Sequence, residues 1–109
     1  MSAIKIPKSE IKLPKTILVG GRTVKIKVVE LEDCYGQFLF DKMTIQIDVK
    51  TMQDTETLRE TLRHEIVEAS LLISGVGWSE TYQQESVVRA LDNIFFPAWA
   101  RVSPIFERV

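Results

Sequence analysis

The spacing of hydrophobic positions changes once along the chain, near residue 54. Upstream, apolar residues alternate with polar ones; downstream, they recur at three- and four-residue steps. Thr16 to Val19 and Arg22 to Val29 flank Gly20-Gly21, whose two residues both tolerate positive φ and so predict a tight hairpin. Across that turn Ile17 and Val19 share a face with Val24, Ile26 and Val28, while Thr16, Thr23, Lys25 and Lys27 lie opposite. The polar stretch Glu30 to Asp33 interrupts the pattern. A second hairpin is expected from Gly36 to Val49, turning near Asp41-Lys42, with Ile45 and Ile47 alternating against Thr44, Gln46 and Asp48.

From Asp54 onward Leu58, Leu62, Ile66, Ala69 and Ile73 form the stripe of an amphipathic helix. Asp54 or Thr55 can cap its start, Glu56 suits its first turn, and Gly75 is placed to end it in a left-handed cap. A second helix is expected from Thr81, which has capping-box spacing to Gln84, through Val87, Val88, Leu91, Ile94 and Phe95 to Pro97. The segment Ala98 to Val109 holds Trp99, Val102, Ile105 and Phe106 and should pack on its own domain, although an oligomer contact would use the same residues. These elements predict an α+β fold: a small antiparallel sheet of two hairpins, then two helices, within one domain spanning 1–109. Residues 1–15, with Pro7 and Pro14, should form an extended arm.

Composition narrows the class. With 109 residues, 45% of them hydrophobic and 27% charged, the chain has the makeup of one globular domain and not of a disordered segment. Cys34 is the single cysteine, so no internal disulfide can form. No apolar run approaches a membrane span, and Met1 to Lys5 is not followed by a signal-peptide core, which together predict a cytoplasmic protein without a membrane partner. Residues 1–27 carry seven cations against Glu10 alone, a local +6, so the remainder sums to −7 for the total of −1. A basic face of this kind can meet nucleic acid or an acidic protein. The segment lacks aromatic stacking residues, which favours a solvated strand face over a nucleic-acid partner.

The chemistry concentrates at Leu62-Arg63-His64-Glu65-Ile66-Val67-Glu68, which holds the only histidine. Residues four apart on a helix stand side by side, so His64 and Glu68 can grip one metal ion. Glu65, about 100° around the helix, can act as general base toward a metal-bound water. Zinc hydrolysis needs three protein ligands and one open position, and Glu85 is the candidate third ligand, with Glu80 second. The plainer alternative is a surface histidine in a solvated charge network with Arg59, Glu60 and Arg63. Cys34 reads as a small buried hydrophobe, and Trp78 and Trp99 as packing residues.

The order of a small sheet, Tyr35-Gly36, a strand ending near Ile47-Asp48, and then Arg59-Glu60-Thr61-Leu62-Arg63-His64-Glu65-Ile66-Val67 resembles the small phage and bacterial minigluzincin-type zinc metallopeptidases over roughly residues 17–97. The resemblance implies a zincin-like minimal domain of phage or bacterial origin with zinc as cofactor. His64 matches that family's first ligand, Glu65 its general base, Ala69 the small residue after its second ligand, and Glu85 the region of its third. The departure is Glu68, where the family pattern has histidine. A second carboxylate makes the ion a poorer Lewis acid and favours harder ions such as manganese or magnesium. The reading that follows is a catalytically degenerate member acting as a binding or structural module, with a host or phage protein as partner. The alternatives are an active His-Glu-Glu peptidase, with Tyr82 as a possible oxyanion partner, and binding of nucleic acid or an acidic protein through the basic N-terminal hairpin.

Overall fold

A computed structural model describes residues 11–75, 87 and 90–107. It is an α+β domain: four strands, β1 (Thr16–Val19), β2 (Arg22–Val29), β3 (Gly36–Leu39) and β4 (Thr44–Asp48), precede the long helix α1 (Thr55–Ser74). A π-helical turn, Leu91–Phe95, leads into the short helix α2 (Phe96–Val102), and a 3-10 turn follows at Ser103–Phe106.

Both hairpins form. Gly20 and Gly21 have φ of 58° and 78°, the left-handed values that a two-residue turn requires. The second hairpin turns through a single 3-10 turn, Phe40–Lys42, closed by Met43 at φ 46°. The sheet is mixed, however, rather than wholly antiparallel. Its order is β1-β2-β4-β3, with β2 and β4 parallel from Lys25↔Thr44 to Val29↔Asp48. The loop after β2 carries the chain past one strand position to the far edge, and β4 returns into the gap between β2 and β3.

One sheet face is dry. Ile17, Val19, Val24, Ile26, Phe38, Ile45 and Ile47 are buried there against Leu58, Leu62, Ile66 and Ala69 of α1. Val28 shares that face by alternation, yet it lies where cover runs out and is 44% exposed. Lys25 and Lys27 point to the other side and are exposed, as are Lys12, Lys15 and Arg22.

Helix α1 starts at Asp54, whose carboxylate accepts a hydrogen bond from the Thr57 hydroxyl, and ends at Gly75 with φ 87°. The bond from Thr57, first among several, holds the Asp54 pKa below its ordinary value. The expected stop at Pro97 does not occur. The Phe96 N–H donates to the Leu91 carbonyl five residues back, so the widened turn lies just before the ring. Pro97 then sits at the start of α2, where its missing N–H breaks no helical bond. The apolar segment from Ala98 packs on its own domain: Ala98, Val102 and Phe106 are buried, and the Trp99 ring stacks between Phe95 and Phe106 with centroids 6.5 and 6.0 Å away. The expected helix start at Thr81, and with it Trp78, lies outside the described residues.

Candidate functional site

The site lies where the first half of α1 meets the loop between β2 and β3. Two features hold these walls together. The Asp48 carboxylate accepts from the Leu31 N–H at 2.8 Å and the Lys50 N–H at 3.3 Å, although the residue is itself buried. The Tyr35 carbonyl accepts from the Asp48 N–H and the Thr51 hydroxyl, both at 2.9 Å. These bonds fasten a polar loop to the end of β4 across up to seventeen residues of sequence. The second feature is Gly36, where an added Cβ would stand 2.8 Å from Thr61 Cγ2 and 3.0 Å from the Gln46 carbonyl oxygen. The bare backbone lets α1 press against β3 one turn before the motif.

Between the walls runs an open cleft of about 1120 Å³, lined by the loop from Leu31 to Gly36, by Asp48, Lys50, Thr51 and Asp54, and by Thr57, Glu60, Thr61, His64 and Glu65 of α1. The volume suits a peptide segment or a similar ligand.

Helical geometry assigns the motif residues their places. At 100° per residue, Glu65 falls about 60° from Leu62 and the core stripe, while His64 falls on the far side. Glu65 is accordingly buried, at 5% exposure. His64 and Glu68 have side chains 72% and 48% exposed. The His64 Nε2 and Glu68 Oε2 atoms are 3.8 Å apart, and one ligand atom from each of His64, Glu65 and Glu68 lies within 4.8 Å of the others. The group can therefore hold a metal ion. Two ligands of a tetrahedral zinc stand roughly 3.4 Å apart for bonds of ~2.1 Å, close to the spacing of this pair.

Glu65 departs most from ordinary surface chemistry. Its Oε1 is buried without a hydrogen-bond partner. Burial, reinforced by the Glu68 charge and opposed by His64, pushes its pKa from 4.5 up to about 7. The solvated charge network does not include it. Arg59 pairs instead with Glu56, at 3.1 Å on the outer face. A buried acceptor left unsatisfied costs stability, which points to a ligand rather than to packing.

Of the expected site residues, His64, Glu65 and Glu68 are brought together; Glu85, Glu80 and Tyr82 lie outside the described residues. Cys34 corrects the sequence reading. It is exposed in the cleft wall because its loop is held at the surface, not in the core. The loop residues Glu32 and Asp33 were not legible as part of a site. Their segment read only as a break in the strand pattern, and its place depends on Asp48. Among the described residues no helix is long and apolar enough to cross a membrane. No protein-family model matches the chain, and neither a curated protein nor a solved structure matches it.

Proposed function

We propose that the chain is a metallopeptidase-like protein in which His64 and Glu68 hold a divalent cation and Glu65 is the proton acceptor beside it. The carrying observation is the Oε1 of Glu65, buried and without a partner among the described residues, within reach of the exposed His64 and Glu68 at a point where Glu65 and His64 line a cleft. Zinc is the first candidate ion, and Glu85 is proposed as a further ligand. When bound, such an ion lowers the pKa of a coordinated water and polarises a carbonyl.

The chain's own residues supply the rest. Glu65, whose pKa burial raises to about 7 in the metal-free protein, stands beside the ligand pair where it can take up and return a proton. Among the described residues no donor engages its Oε1, so it is free to accept. The β3 strand adds a backbone surface. Tyr35 accepts from Asp48, so by alternation Gly36 and Phe38 turn their N–H and C=O groups away from β4, toward the open edge beside the cleft. An extended peptide can pair there, which supports a peptide as the ligand.

The test combines metal content with turnover. Wild type should carry about one zinc per chain and cleave a peptide library; Glu65→Gln should keep the metal and lose cleavage, and His64→Ala should lose both. A protein that stays metal-free in zinc-supplemented medium defeats the proposal.

A second reading is favoured by Glu68 itself. Two carboxylates beside one imidazole weaken the ion as a Lewis acid, so the fold can persist as a binding or structural module for a host or phage protein. Under that reading His64→Ala leaves partner binding unchanged, and lost binding rules it out.

A further inference from the structure

We infer that the cleft beside α1 receives an extended peptide segment rich in lysine and arginine. The choice of a peptide rests on the metallopeptidase-like reading above; the choice of charge rests on the cleft walls. Glu32 and Asp33 stand on the loop, Asp54 at the start of α1 and Glu60 on its second turn, all exposed, and Lys50 is the one lysine or arginine facing them among the described lining residues. Asp48 lies buried in the same wall, where its carboxylate accepts from the Leu31 and Lys50 backbone.

Acids on a surface are common and do not by themselves make a site. The second observation is Glu65, which lines the same cleft at 5% exposure with Oε1 unsatisfied by the protein. Among the described residues nothing donates to that atom, which leaves it for a donor on a ligand. Tyr35, 66% exposed on the same wall, offers a ring face for a guanidinium or a lysine stem. Lys25 and Lys27 lie on the opposite sheet face. Such a predominantly acidic concave surface concentrates field and draws in cationic ligands while repelling acidic ones.

The experiment uses two fluorescein-labelled peptides of equal length, one Lys/Arg-rich and one Glu-rich, titrated by anisotropy with zinc and with chelator. The basic peptide should bind at least about tenfold more tightly than the acidic one, and should weaken roughly tenfold between about 20 and 300 mM salt. The double variant Glu32→Lys with Asp33→Lys should lose about tenfold in affinity for the basic peptide, whereas Asp92→Lys with Glu107→Lys, an equal change of net charge away from the cleft, should stay within about twofold. Equal affinity for both peptides, no binding of the basic one, or equal losses in the two double variants would overturn the inference. The metal arm separates the two claims. A basic preference in a protein that binds no zinc leaves this inference standing and removes the metal site, and zinc binding without the preference does the reverse.

Discussion

Replacing Glu65 by glutamine isolates the energetic cost of the buried carboxylate. The folded protein holds this group's proton up to about pH 7, whereas the unfolded chain releases it near 4.5. Between those values the native state binds more protons than the unfolded state, so stability falls as pH rises from about 4.5 to 7 and then levels off. At ~1.4 kcal/mol per pH unit, the gap amounts to about 3 kcal/mol carried by the ionised native protein above pH 7. Glutamine keeps the shape and leaves an unsatisfied amide, which still costs ~1–3 kcal/mol, but it removes the charge. Glu65→Gln should thus be more stable than wild type by about 1–3 kcal/mol at pH 8 and nearly equal to it at pH 4.5. Urea denaturation of both proteins in chelator, at matched ionic strength across that range, reads the difference directly. A constant offset at all pH values, or a less stable variant at pH 8, would refute the claim that Glu65 is buried as an unpaired acid. Adding zinc to wild type should flatten its pH profile, since an ion beside the carboxylate compensates its charge.

Three further outcomes follow from the packing and the ligand pair. Gly36→Ala would force its Cβ to within 2.8 Å of Thr61 and 3.0 Å of a strand carbonyl, and thermal unfolding should show a loss of ~1–3 kcal/mol; an unchanged midpoint would mean that α1 does not press on β3. Leu62→Ala, at a fully buried position directly before the motif, should cost about 2–5 kcal/mol in urea unfolding, and a smaller loss would indicate a poorly packed interface. Zinc at about 100 times its dissociation constant should stabilise wild type by ~2.7 kcal/mol, with no shift for His64→Ala; an equal shift in both proteins would place the ion elsewhere.

Local patterns were legible where local physics decides them. The strands follow from the alternation of Ile17, Val24, Ile26, Ile45 and Ile47 with polar residues, α1 from Leu58, Leu62, Ile66 and Ala69, and its ends from Asp54 and Gly75. The parallel join of β2 to β4 was not, because which strand fills a gap is settled by the whole sheet. Continuation past Pro97 depends on one wide turn at Leu91–Phe95, which leaves no mark in the apolar spacing. In the site, the spacing of His64 and Glu68 did place them together. The burial of Glu65 was readable in principle from its angle to Leu62, yet its lack of a partner was not, since that depends on what every neighbour does. The loop wall depends on Asp48 reaching Leu31, a contact with no sequence signature.

The two edges of the sheet differ in a way that bears on how copies of this molecule can meet. On β1 the Arg101 guanidinium donates to the outward Leu18 carbonyl at 2.8 Å, occupying a group that an incoming strand would need. On β3 the outward groups of Gly36 and Phe38 are left for pairing. An incoming strand therefore meets an occupied carbonyl on β1 and no such obstacle on β3 among the described residues, so the two edges are unequal templates for pairing. Gly36 belongs both to that edge and to the cleft wall, so a strand added along β3 would run beside the cleft.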